Sequence, residues 1–280
     1  MGSRFEGVEQ GPPIEVFQLN KLFIDDTFKN KVNLTIGAYR DENGKPWVLP
    51  VVRRTEKQMA EDESLLHEYL PVLGLDQFTS ASVSMLLGED NPVIAEGRAF
   101  GVQTLSGTGG LRVGAEFLNK HLKYTTFYYS NPTWENHHLV FMNSGFTQPR
   151  SYRYWNPETR AIDFDGLIAD LKGAPENSVI ILHACAHNPT GIDPTHEQWE
   201  KIADVMEERK LFPFFDNERV GNLAIVMSDA KHVAPCKSQL TWIVRGMYSN
   251  PPAHGARVVA TALSNKHLFD QWQVLPCIVS

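Results

Sequence analysis

The chain has 280 residues, 42% of them hydrophobic and 21% charged, with a formal net charge of −7. That balance fits a globular chain of one large or two modest domains with a substantial core. It speaks against a general affinity for nucleic acid or anionic membrane, and no run reaches the roughly 18 apolar residues of a membrane span.

The N-terminal stretch MGSRFEGVEQGPP has no apolar core of a secretory signal. It is neither Arg/Ser-rich nor acid-poor, as a mitochondrial transit peptide would be, and Glu6 spoils a myristoylation reading. The three cysteines, Cys185, Cys236 and Cys277, are widely spaced, which suits a reduced, cytosolic protein. Residues 1–10 read as an extended arm ended by Gly11-Pro12-Pro13. VNLTIGAY (32–39) is strand-like, and Asp41 to Pro46 is a turn. Residues 51–66 and 75–88 carry helical spacing.

An apolar run from Gly97 to Leu105 leads into Ser106-Gly107-Thr108-Gly109-Gly110. The positions 111, 115, 118 and 122 then trace an amphipathic helix. Strand-like runs recur at 125–129, 140–142, 153–155, 179–185 and 211–215, with helical segments at 134–138, 164–171 and 196–209. The alternation predicts a mainly parallel sheet with helices on both faces. The tail, Val274 to Ser280, is apolar and follows a helical stretch.

The groups able to do chemistry lie between these elements. Ser106-Gly-Thr-Gly-Gly before a helix suits a phosphate, through glycine backbone and helix N-terminal N–H groups, and equally suits an ordinary N-cap. Trp134 could cover a flat ring or sit in the core. His183, Cys185 and His187 alternate, so on a strand they would share a face. No fourth metal ligand accompanies them, and packing with hydrogen bonding is the preferred reading. Asn188-Pro-Thr-Gly is a sharp turn that could aim a donor at a ligand. Asp216 closes an apolar strand, FPFFD, where it could pair with a protonated ring nitrogen or serve a turn. Arg219 could clamp a phosphate and Arg245 bind a carboxylate, or both could be solvated charges. A ligand with a phosphate, a flat ring and a basic ring nitrogen satisfies these groups together. Pyridoxal phosphate has all three features.

The segments GPPIEVF, GAYRDENGKPWVLPVVR, TLSGTGGLRVGAEFL, NPTWENH, ILHACAHNPTGIDP, FPFFD, NERVGNLAIV and YSNPPAHGARVVA resemble those of the class I pyridoxal-phosphate-dependent aminotransferases, of the cytosolic aspartate aminotransferase type. The resemblance runs from residue 4 to about residue 272. It implies fold type I: a large α/β domain over residues 47–273, an N-terminal arm and start of a small domain over 1–46, and a tail, 274–280, outside the family pattern. It also implies a homodimer that exchanges the amino group of L-aspartate with 2-oxoglutarate to give oxaloacetate and L-glutamate. Ser106, Gly107, Thr108 and Arg219 match the phosphate site, Trp134 the ring cover and Asn188 the donor to the phenolic oxygen. Asp216 matches the carboxylate at the ring nitrogen, and His137 its supporting partner. Gly37, Trp134, Asn188 and Arg245 match substrate contacts. Tyr69, Arg245 and Ser249 match groups that reach the neighbouring subunit's site.

The departures from that pattern are equally specific. After FPFFD the family continues through a helix and another strand to a Ser-x-Ser-Lys segment before NERVGN; here Asn217 follows Asp216 directly. A few dozen residues are therefore missing, among them the Schiff-base lysine, so no catalytic residue is assigned. Lys210 and Lys266 lie in no matching motif. One sheet strand and most of the small domain are missing as well. The pattern resembles a truncated isoform from alternative splicing, inactive or strongly impaired alone. It would act either as a non-catalytic partner in a mixed dimer with full-length enzyme or remain a misfolded product. The strand after NERVG runs opposite to the others in the family. The short DNER connection therefore allows the strands on either side of it to pair as an antiparallel hairpin. Exposed apolar surface is expected where the lost helix packed.

Overall fold

The computed structural model describes residues 3–33, 35, 37, 40–217 and 221–279, the side chains of 274–279 excepted. Two compact units divide the chain, Met1–Ala60 and Glu61–Ser280. The first contains helices α1 (Glu15–Asp25) and α2 (Pro50–Glu61). Between them Asp41 Oδ1 accepts from the backbone N–H of Asn43 and Lys45, which makes the predicted turn, and Arg40 bridges Pro46. The predicted strand 32–39 falls partly outside the described residues, and Val32, Asn33, Thr35 and Gly37 belong to no strand.

The second unit opens with α3 (Asp76–Leu87), a short α4 (Pro92–Ala95) and β1 (Ala99–Gln103). Then come α5 (Ser106–Leu122), β2 (Thr126–Asn131), α6 (Asn136–Asn143), β3 (Gln148–Arg153), β4 (Trp155–Asn156) and β5 (Ala161–Ile162). They are followed by α7 (Phe164–Gly173), β6 (Val179–His183), α8 (His196–Glu208), β7 (Phe212–Asp216) and β8 (Asn222–Val226). Helices α9 (Val233–Tyr248), α10 (Ala253–Ser264) and α11 (Lys266–Val279) complete it; the backbone of α11 carries most of the apolar tail. The Gly-rich run 106–110 is itself the first turn and a half of α5 rather than a loop before it. The run Val140–Met142 lies inside α6, because Val140 and Phe141 are buried on one side of a helix.

Four strands form a parallel sheet in the order β3-β2-β6-β7. Side chains alternate across it with period two. Ile180 and Leu182 point into a core with Tyr152, Leu167 and Ile202, while Val179 and Ile181 point into a second core with Phe127, Phe141 and Phe214. Every residue of β6 is buried, as a central strand covered on both faces requires. Thr195 starts α8 with a capping box, its hydroxyl accepting from Gln198 N–H while the Gln198 side chain accepts from Thr195 N–H.

The expected hairpin between the strands flanking DNER does not form. Strand β8 pairs antiparallel with β1, Ala99 opposite Val226 through Gln103 opposite Asn222, and β7 pairs with β6 alone. Two physical reasons favour this arrangement. Strand β1 offers β8 a full ladder against the buried Phe100 and Val102, whereas Pro213 removes a donor from β7.

Candidate functional site: a polar chain at the strand ends

Parallel α/β sheets place ligands at the carboxyl ends of their strands. Here β2 ends in Asn131 and runs on to Thr133 and Trp134, β6 ends in His183 and β7 ends in Asp216. The three ends are joined by hydrogen bonds. His137 Nε2 lies 2.8 Å from Asp216 Oδ2, and His137 Nδ1 lies 2.9 Å from Thr133 Oγ1. The same hydroxyl is 3.2 Å from His183 Nε2, and His183 Nδ1 accepts from the Asn188 backbone N–H at 3.1 Å.

That last bond fixes the direction of the whole chain, because a backbone N–H can only donate. His183 Nδ1 is thus the acceptor, and Nε2–H donates to Thr133. The Thr133 hydroxyl then donates to His137 Nδ1, which leaves His137 Nε2–H to donate to the Asp216 carboxylate. His137 is fully buried and Asp216 is 17% exposed, so the carboxylate stands at the mouth of the site. Among the described residues Asp216 Oδ1 makes no hydrogen bond, which leaves it open to a donor from outside. Burial is the main cause that lowers the ordinary His183 pKa to about 4, with the neighbouring His137 adding to it. His187 is lowered to about 3 by burial first and by His183 second. Both rings are therefore neutral near pH 7. His187 is held by Ser130 and Thr190 hydroxyls at 2.8 Å each and stacks on Tyr154 at 3.7 Å.

Other site candidates gather at the same end. The Trp134 indole is half-buried and meets the His137 ring edge-on at 5.5 Å. Asn188 is exposed at the turn. Ser106, Gly107 and Thr108 form the first turn of α5, where backbone N–H groups have no intrahelical acceptor. Gly221, just before β8, packs so tightly on Ser106 that a Cβ would come within 2.3 Å of its carbonyl oxygen. The Ser249–Pro252 loop reaches the end of β1, where Gln103 Nε2 donates to Pro252 O at 2.8 Å.

Tyr69 is 82% exposed. Arg245 is exposed, and its guanidinium donates to the Ser249 hydroxyl. Gly37 belongs to the Met1–Ala60 unit, and Arg219 lies outside the described residues.

The alternating His183, Cys185 and His187 do not share a strand face, because β6 stops at His183. Cys185 is exposed, while the two histidine rings pack 4.2 Å apart. No cluster able to hold a metal occurs among the described residues. Sequence reasoning missed Thr133, while its preferred reading of His183, packing with hydrogen bonding, agrees with the bonds to Thr133 and Asn188. The sole sequence signal for Thr133 is its spacing four residues before His137, and its partner His183 lies 50 residues away.

Lys210 precedes β7 at the end opposite Asp216, about 20 Å away along the strand, and its amine pairs with Glu176 at 2.9 Å. Lys266 pairs with Asp270 on the exposed side of α11.

The family model for class I and II aminotransferases matches residues 29–218. The cytoplasmic aspartate aminotransferase of Caenorhabditis elegans is 46% identical over 96% of this chain and 76% of its own length. That of Gallus gallus is 45% identical over 97% and 77%. The aspartate aminotransferase from Saccharomyces cerevisiae cytoplasm superposes with a TM-score of 0.91 at 36% identity, over 96% of this chain and 77% of that one. An aromatic-amino-acid aminotransferase from Burkholderia pseudomallei, covalently bound to pyridoxal phosphate, superposes with a TM-score of 0.92 at 34% identity, over 97% and 77%. The chain belongs to the class I and II aminotransferases, within the aspartate aminotransferase family.

Proposed function

We propose that this chain carries the pyridoxal-phosphate framework of a cytoplasmic aspartate aminotransferase but turns over little or no aspartate and 2-oxoglutarate alone. The framework residues suit the cofactor. Asp216 Oδ1 would accept from the ring nitrogen's N–H while His137 holds Oδ2. The first turn of α5 would bind the phosphate, Trp134 would cover the ring and Asn188 would donate to the phenolic oxygen. When bound, the cofactor supplies an electron sink for the substrate's α-carbon.

What supports inactivity is the position of Lys210, the lysine nearest to Asp216 in sequence. Its amine lies at the wrong end of β7 in an ion pair with Glu176. The relatives' additional length, in which the resemblance places the lysine that anchors the cofactor, supports it too. That amine would hold and move the α-proton, a role worth ~10²–10⁴-fold in rate, and neither Lys210 nor Lys266 is placed to supply it. Borohydride reduction of the purified chain with pyridoxal phosphate, followed by peptide mass analysis and an aspartate assay, tests this. We expect no stoichiometric adduct and no turnover; one lysine labelled to completion with turnover would refute the reading.

A second reading rests on exposure. Tyr69, Trp242 (73% exposed) and Arg245 stand on the surface, as they would in a subunit that completes a neighbour's site. A mixed dimer with full-length enzyme would co-purify with a tagged copy and keep one working site; no association would end this reading.

A further inference from the structure

The sheet of the second unit is divided, and among the described residues both edges at the division are open. Phe212 N–H donates to Ser178 O and Ala184 N–H to Asp216 O, so the even positions of β7 face β6. Pro213 and Phe215 then turn their backbone groups outward. On β8, Thr104 N–H donates to Gly221 O and Met227 N–H to Arg98 O, so the odd positions face β1. Asn222, Ala224 and Val226 therefore face outward.

The two open edges are neighbours. Phe214 of β7 and Leu223 of β8 close on the same point of α5, where a Cβ on Gly114 would meet them at 2.6 and 3.4 Å. The connection from Asp216 to Asn222 spans about 20 Å at most. On the other face, a cavity of about 570 Å³ opens beside β7, lined by apolar side chains including Trp199, Ile202, Met206, Pro213 and Phe215. Phe215 is 53% exposed there.

Open strand edges beside an apolar cavity form a template for strand addition. We propose that this division accepts an extended strand in trans, apolar on both faces, from the segment that full-length relatives carry and this chain lacks. Two observations identify that occupant. The C. elegans alignment runs over 311 positions but uses 96% of the 280 residues, about 269, which leaves about 42 positions without a residue here. The family-model match stops at residue 218, inside the connection between β7 and β8. One face of the added strand would lie on α5 beside Phe214 and Leu223, and the other would close the cavity over Phe215. Its backbone would pair with the Phe215 N–H and with the outward groups of Asn222, Ala224 and Val226.

The probe is a synthetic peptide of the roughly 42 C. elegans residues, added to the purified full chain. A saturating amount should raise Tm by about 5 °C or more and slow hydrogen exchange at both Phe215 and Ala224. Ala224→Pro removes an outward N–H without touching the β1 ladder, and Phe215→Lys puts a charge at the cavity mouth. Each should weaken peptide binding about tenfold or more, and either suffices if the other does not fold. The proposal is overturned by absence of a Tm shift and of protection, by an equal effect of a scrambled peptide, or by self-association that protects the same amides.

Discussion

The four-stranded sheet and the two-stranded ribbon of β1 and β8 share helix α5 but are built differently. In the larger sheet β6 is buried on both faces, and aromatic side chains from Phe127, Phe141 and Phe146 fill the layer below. In the ribbon, β8 is only half-buried along its length and Val226 is 50% exposed. The polar chain from Asn188 to Asp216 sits wholly on the larger sheet. The polar chain is thus held by the part of the molecule that is closed, while the division between the two sheets lies at the edge of β7, the strand that carries Asp216.

Substitutions sharpen that contrast. Phe127→Ala should cost about 3–5 kcal/mol in urea unfolding, because its ring is fully buried among those of Tyr129, His138, Phe141 and Phe146. Leu223→Ala on the ribbon should cost about half as much, and equal costs would erase the distinction. The pH response comes next. His183 and His187 have folded-state pKa values of about 4 and about 3, below the ordinary 6.5. Above about pH 6.5 they are neutral whether folded or not, and contribute no pH dependence. As pH falls below 6.5 the unfolded chain takes up protons that the folded chain refuses, so stability drops until pH passes the folded values. A loss of up to about 2 kcal/mol from each ring between pH 7 and 5 is expected by chemical denaturation, and His183→Asn should remove its share.

Thr133→Val removes the hydroxyl between His137 and His183 and should cost about 1–2 kcal/mol. Cofactor affinity, followed by absorbance, should fall with it because Asp216 loses its ordered partner; an unchanged spectrum would sever the chain from the site. Gly114→Ala, at the point where α5 touches both sheets, should cost about 1 kcal/mol or more as the Phe214 ring moves aside. A cost near zero would show that the two sheets are not tightly joined there.

Much of this was legible before the fold. The apolar runs 179–185 and 211–215 marked β6 and β7, the first running two residues past the end of its strand at His183, and helical spacing marked α5, α7 and α8, since these signals depend on residues a few positions apart. The motifs around Trp134, Asn188 and Asp216 carried the family by themselves. Tertiary structure alone decided that Val140–Met142 is helical, because burial against Phe127 and Phe214 overrides local β propensity. It alone chose β1 as the partner of β8, a strand more than a hundred residues away, since ladder pairing follows available donors and buried area rather than chain proximity. It also set the direction of the hydrogen bonds from Asn188 to Asp216, because each link joins side chains that only folding brings within reach.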